Sequence, residues 1–126
     1  MKRLALLLAL CSTAHAAPPD SFFRALHVVE TSGRTGAILG DGGKALGPLQ
    51  IHKAYHADAR IGGDYARCAD LDYSRRVVTA YLQRYAPQAW AAGDVTTLAR
   101  VHNGGPRGAS KPATVAYGAK VARLTK

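Results

Sequence analysis

The chain has 126 residues and carries 17 lysines and arginines against 8 acidic side chains, a formal charge of +9. That length allows one domain with a single modest core, and two cysteines, Cys11 and Cys68, exclude a disulfide-stapled scaffold. The basic balance favours polyanionic partners without choosing among cell walls, anionic membranes and nucleic acid.

Residues 1–16 read as a cleaved signal peptide. Met1-Lys2-Arg3 is a basic start, Leu4 to Leu10 is apolar, and Ala14-His15-Ala16 fits a small-x-small cleavage pattern. The apolar run is too short to span a bilayer. The chain is therefore expected to be secreted or periplasmic, with no stable membrane insertion. Residues 17–126 form the expected single domain. Loss of Lys2 and Arg3 lowers the basic count from 17 to 15 against 8 acids, a charge of +7. Cys68 is then alone, without an internal disulfide partner, and is expected to be a small semi-buried side chain.

Past Ala17-Pro18-Pro19, Asp20 or Ser21 can cap a helix whose apolar face is Phe22, Ala25, Leu26 and Val29, with Gly33 as its stop. Glu30, the only glutamate in the chain, falls in its last turn. There the negative end of the helix dipole and any burial would push its pKa upward. From Gly36 to Ile51 glycines break the helical period, so Ala37-Ile38-Leu39, the turn Asp41-Gly42-Gly43 and Ala45 to Ile51 read as a small hairpin or irregular β-region. Gly47-Pro48-Leu49-Gln50-Ile51 reads as an extended run.

A short helix is expected over His52 to Ala59. A longer one, capped by Asp70 or Asp72, runs to about Tyr85, with Val77, Val78, Tyr81, Leu82 and Tyr85 inward and Arg75, Arg76 and Arg84 solvated. Pro87 and Gly93 punctuate, and Trp90 is a core or rim aromatic. Asp94 caps a helix that stops at Asn103-Gly104-Gly105-Pro106, and a last helix spans about Pro112 to Leu124. The sum is an α+β domain, mostly helical with one small β-region.

Two carboxylates on different local structures suggest the chemistry. Cleaving a glycosidic bond needs one carboxyl that donates a proton to the leaving oxygen and one that stays ionised beside the cationic centre. Glu30, on an apolar helix end, suits the first role. Asp41, in a polar glycine turn, suits the second. Taken singly, a glutamate at a fraying helix end and an aspartate in a turn are ordinary residues.

The pattern around them resembles the invertebrate-type (destabilase-like) lysozyme family. Val29-Glu30-Thr31-Ser32-Gly33, Gly40-Asp41-Gly42-Gly43, and Gly47 to Ile51 followed by Ala54-Tyr55 and Asp58 form one block. Ala99 to Gly108, with His102-Asn103-Gly104-Gly105-Pro106, and then Lys111, Ala113-Thr114 and Tyr117 form the second. The resemblance implies a lysozyme-like fold with its hairpin region beside an active-site cleft. Glu30 would be the catalytic acid and Asp41 the second carboxylate. Gln50, Tyr55, His102 and Asn103 would line or support the cleft, and Gly104 and Gly105 would contact sugar or only shape the turn. His102 could equally hold the loop without touching substrate.

The implied substrate is peptidoglycan, cut between N-acetylmuramic acid and N-acetylglucosamine, with chitin-type oligosaccharides as related polymers and a proteinaceous lysozyme inhibitor as a second partner. No cofactor or metal is implied; His52 and His56 are four apart but lack a third ligand. The chain departs from the family in lacking a disulfide framework, which points to a bacterial relative. It also has Thr31 where serine is usual, and His56 and Gly118 where tryptophans are usual, so sugar subsites could be rearranged. Alternatives are a lytic transglycosylase, which needs a single glutamate, and a catalytically silent wall- or chitin-binding module. Dispersed basic residues and the leader argue against nucleic acid.

Overall fold

The computed structural model describes residues 17–126; the expected leader lies outside them. Helix α1 spans Asp20–Thr31 and buries Phe22, Phe23, Ala25 and Leu26. Neither Asp20 nor Ser21 caps it. The chain enters through extended Pro19, whose carbonyl takes the Phe22 amide at 2.9 Å. Asp20 instead sits in the first turn and pairs with Arg75 at 2.9 Å. Arg75, expected in solvent, also lays its guanidinium over the Phe23 ring, 4.6 Å from the centroid. The stop comes one residue before Gly33, at left-handed Ser32 (φ 56°).

Three two-residue strands follow: β1 Leu39–Gly40, β2 Ala45–Leu46 and β3 Ile51–His52, antiparallel in the order β1-β2-β3. Leu39 pairs with Leu46, Gly40 with Ala45, and Ala45 in turn with His52. A tight turn at Asp41–Gly43 closes the first hairpin. The stretch expected to be extended, Gly47 to Gln50, is instead the second turn, closed by the Gln50 amide on the Gly47 carbonyl at 3.1 Å. Its reversal places Leu49 and Ile51, 0% and 1% exposed, in the core.

Helix α2 is Lys53–Ala59, starting one residue late because His52 belongs to β3. Helix α3, Leu71–Tyr85, is capped by Asp70, which accepts the Tyr73 amide at 2.9 Å. Pro87 and Gly93 do not merely punctuate. They bound a helix, α4 Pro87–Ala92, with proline at its first position and left-handed Gly93 after its end. Trp90 is half-buried, edge-on to Phe23. Asp94 caps α5, Val95–Gly104, through Thr97, and the final segment divides into a 3-10 turn at Pro112–Thr114 and α6, Val115–Leu124.

Phe22, Leu26, Val77, Val78, Leu82, Leu98 and Val121 are wholly buried beside Leu49 and Ile51. Each contributes about 1.5–3 kcal/mol relative to an exposed side chain. Cys68 joins them at 0% exposure, deeper than expected, and burial pushes its thiol up to about 11. Helix α6 packs against both α1 and α5. Gly118 makes that approach close: a Cβ there would stand 2.6 Å from Arg100 Cγ. Among the described residues, no helix is long and apolar enough to cross a membrane.

Candidate active site

Glu30 and Asp41 face one cavity of about 490 Å³, lined also by Ala45, Gln50, His52, Tyr55, His102, Asn103 and Gly105. Helix α1 supplies Glu30 from its last turn, the first hairpin supplies Asp41 from its tip, and the end of α5 supplies His102 and Asn103. The two carboxylates have opposite surroundings. The Glu30 side chain is 18% exposed and the Asp41 side chain 65%.

Glu30 Oε1 has two donors. Tyr117 donates its hydroxyl at 2.5 Å from α6, and His102 Nε2 lies 3.5 Å away. A carboxylate can only accept, so the His102 hydrogen must sit on Nε2. In a neutral ring that leaves Nδ1 as acceptor for the Tyr55 hydroxyl at 2.9 Å, while in a protonated ring Nδ1 donates to the same oxygen. Tyr55 is itself stacked on Tyr81, centroids 3.6 Å apart and rings 12° from parallel. The result is a chain from Tyr55 through His102 to Glu30, met from the far side by Tyr117.

This network corrects the expected pKa direction. Burial, the largest influence, does raise Glu30, but the hydrogen bond and charge of His102, then Tyr117 and the charge of His52, together hold it below the usual carboxylate value. Burial and the Glu30 charge push Tyr117 and Tyr55 well above the normal phenol range, so both keep their protons as donors.

Asp41 is held differently. It adopts the left-handed conformation at φ 51°, uncommon outside glycine and recurrent at functional sites. Its Oδ2 meets His52 Nε2 at 3.2 Å. The β1-β2-β3 registers bring His52 there, since Ala45 pairs with both Gly40 and His52. In the linear sequence His52 stands four residues from His56, a spacing that suggests a pair of metal ligands. In the fold the two diverge, His56 bonding the Tyr73 hydroxyl at 2.7 Å. Among the described residues no three metal-binding side chains cluster.

Gln50 also has positive φ (51°), and its Nε2 donates to the carbonyls of Gly47 at 2.9 Å and Ile38 at 3.2 Å. It thus ties the second turn while lining the cavity. Asn103 is exposed at the rim. Gly105 lines the cavity but Gly104 does not; its carbonyl takes Lys111 Nζ at 2.6 Å, and its Cα faces Thr114. Thr31 donates its hydroxyl to Pro48 O at 2.9 Å, fastening the helix that carries Glu30 to the second turn. His56 and Gly118, at positions where the family usually has tryptophan, both lie off the cavity lining.

Tyr117 is the residue that sequence reasoning left without a role. Its signal was present: in a helix, Tyr117 stands one turn before the buried Val121 and so shares the inward face. Its partner Glu30 is 87 residues away, which no local pattern spans.

No protein-family model matches the chain. It is 40% identical over 76 residues to a lysozyme of Ostrea edulis, covering 58% of this chain and 55% of that protein. It thus spans about half that relative's length. Over 92 residues it is 34% identical to a lysozyme of Meretrix lusoria, covering 71% and 75% of the two chains. Over 88 residues it is 36% identical to invertebrate-type lysozyme 6 of Caenorhabditis elegans, covering 60% and 64%. The solved Meretrix lusoria lysozyme, in complex with Aeromonas hydrophila PliI, superposes with a TM-score of 0.71 at 26% identity, covering 86% of this chain and 91% of that one. A half-buried glutamate and an exposed aspartate across one cleft, in a fold and sequence shared this widely, place the chain in the invertebrate-type lysozyme family.

Proposed function

We propose that this chain is an exported muramidase, hydrolysing the β-1,4 bond between N-acetylmuramic acid and N-acetylglucosamine in peptidoglycan. Glu30 acts as general acid and Asp41 as the ionised second carboxylate. The observation that carries this reading is the pairing of one sheltered and one solvated carboxylate on a single cleft.

In the free site Glu30 is held as a hydrogen-bonded carboxylate. A sugar chain entering the cleft displaces water from it, strengthening the burial that already dominates its environment. Its pKa therefore rises on binding, and the carboxyl becomes able to carry the proton delivered to the leaving oxygen. Tyr117 and His102 hold the carboxyl in position for that transfer. Asp41, across the cleft, stabilises the positive charge that develops on the sugar ring or attacks it. The polar lining, with Asn103 and Gln50, suits the hydroxyl and N-acetyl groups of a glycan.

Clearing of purified cell walls tests the assignment. Glu30→Gln is expected to lose about a thousandfold in rate, the range of general acid catalysis, with a modestly lower melting temperature at neutral pH because the bonds from Tyr117 and His102 then meet a neutral group, and Asp41→Asn about a hundredfold with unchanged melting temperature. Full activity in Glu30→Gln would sink the reading. Products one water lighter than those of hydrolysis would move it to a lytic transglycosylase, and wall binding without release of fragments to a binding module.

Export rests on the leader-like residues 1–16. A protein inhibitor is a further proposed partner, supported by the similar Meretrix lusoria lysozyme seen with PliI. Chitin-type oligosaccharides are proposed as weaker substrates, since they offer the same sugar backbone.

A further inference from the structure

A second hollow of about 360 Å³ adjoins the cleft, lined by Gly43, Lys44, His52, Lys53, Ala54 and Tyr65. Its size falls within the range of small-ligand pockets, about 300–1,000 Å³. His52 belongs to both hollows and forms the wall between them, its Nε2 directed to Asp41. Lys44 leaves the turn that carries Asp41, and Lys53 follows His52 at the start of α2, so both lysines line the hollow that shares His52 with the cleft.

Neither lysine is neutralised. Both are exposed, and the ion pairs among the described residues are His52–Asp41, Arg75–Asp20 and His102–Glu30, none of which uses a lysine. Tyr65 forms a fixed face of the hollow. Its hydroxyl donates to Ile51 O at 2.6 Å, and Lys53 Nζ stands 5.9 Å from its ring centroid. The lining therefore offers two free cations and an aromatic face whose polar tip is already used. That is a poor grip for a neutral sugar and a good one for an extended group bearing carboxylates.

Resting on the muramidase reading above, we propose that this hollow is a subsite for the stem peptide of peptidoglycan, with Lys44 and Lys53 pairing with its free carboxylates while the glycan lies in the Glu30–Asp41 cleft. The stem peptide hangs from the lactyl ether of N-acetylmuramic acid and carries carboxylates on its side chains and at its C-terminus. A glycan in the cleft must present that substituent to one side, and Lys44 and Lys53 line the hollow that adjoins the cleft through His52. The subsite would make the protein select peptide-bearing wall glycan over peptide-free glycan and chitin.

Binding titrations, which do not depend on turnover, test the assignment. The ligands are the disaccharide of N-acetylglucosamine and N-acetylmuramic acid with and without its tetrapeptide. The protein is expected to bind the peptide-bearing form about tenfold tighter, as two partly exposed ion pairs allow. Lys44→Ala/Lys53→Ala should erase that preference while leaving affinity for the bare disaccharide unchanged, and Lys44→Arg/Lys53→Arg should retain it. Equal affinity of the unaltered protein for both ligands, or a preference that survives the alanine pair, overturns the proposal. So does loss of the preference to competing inorganic phosphate at the peptide's own concentration, which would make the hollow an unselective anion site. A protein that shows the preference yet never clears walls would fail as a muramidase with the subsite intact.

Discussion

Tyr117 shows how a single hydroxyl can bias the ionisation of a carboxylate. Its 2.5 Å bond to Glu30 is one of the influences opposing burial. Tyr117→Phe keeps the ring and the burial but removes the donor, so the Glu30 pKa rises. A hydrogen bond to a charged group is worth about 1.5–3 kcal/mol, and losing it also frees the carboxyl to turn. The alkaline limb of kcat/KM is expected to move to higher pH, with about a tenfold fall at the optimum. Stability follows the linkage sign. A folded-state pKa below the unfolded value of about 4.3 stabilises above that value, and the contribution is lost as pH falls through the folded pKa. The melting-temperature gap between the protein and Tyr117→Phe should thus be present at neutral pH and close on acidification. A constant gap from neutral to strongly acid pH would mean that Tyr117 acts by packing alone. Glu30 and Asp41 could be paired in the sequence because two motif blocks resemble one family's pattern, and the structure sets both carboxylates on one cavity. The roles of Tyr117 and His52 were not legible there, because they depend on the α6–α1 contact and the strand register, neither of which has a local signature.

At the scale of elements, boundaries written by caps could be read, and those written by tertiary packing could not. Asp70 and Asp94 announced α3 and α5 by side-chain chemistry that acts within three residues. Helix α4 is six residues long and bears no apolar stripe of its own, so its proline and glycine looked like breaks. The Gly47–Gln50 turn opens on Gly47-Pro48, a pair common in turns, but its reversal is completed by left-handed Gln50 (φ 51°) and the burial of Leu49, neither of which has a local signal. That turn also supports the site, since Thr31 bonds to Pro48 O and Gln50 lines the cleft. Gly47 is what lets it sit there: at φ 84°, a Cβ would fall 1.8 Å from the Cys68 carbonyl oxygen, a backbone atom that has no rotamer to escape into. Gly47→Ala is expected to cost about 3 kcal/mol or more and to lower activity along with the melting temperature. Gly36→Ala, at φ 99° but with nothing within 4 Å of the added carbon, should cost about 1 kcal/mol. Thermal or urea unfolding of the two variants checks the contrast; equal losses would show that backbone strain, and not the Cys68 contact, sets the cost.

For the whole molecule, stability and targeting draw on separate resources. Cys68 is buried and free, so the described domain is held by packing among its helices and the small sheet. Most of the charge is on the outside: Arg24, Arg34, Arg60, Arg84, Arg107, Lys120 and Arg123 are all exposed and come from elements across the fold. Such a distribution makes a long-range field rather than a fitted anion site. It would concentrate the protein on a polyanionic wall from any approach direction, whereas Lys44 and Lys53 would act only once the glycan is seated. The two effects differ in reach, and salt separates them. The screening length shrinks from about 10 Å at 0.1 M to about 3 Å at 1 M. Co-sedimentation of the inactive Glu30→Gln protein with insoluble walls is therefore expected to weaken by tenfold or more across that range, the scale expected when several dispersed cations are screened together. The Lys44→Ala/Lys53→Ala form of the same protein should weaken in parallel, because it retains most of the basic side chains. Wall affinity that ignored salt would instead assign recognition to the cleft alone, with the net positive charge serving solubility.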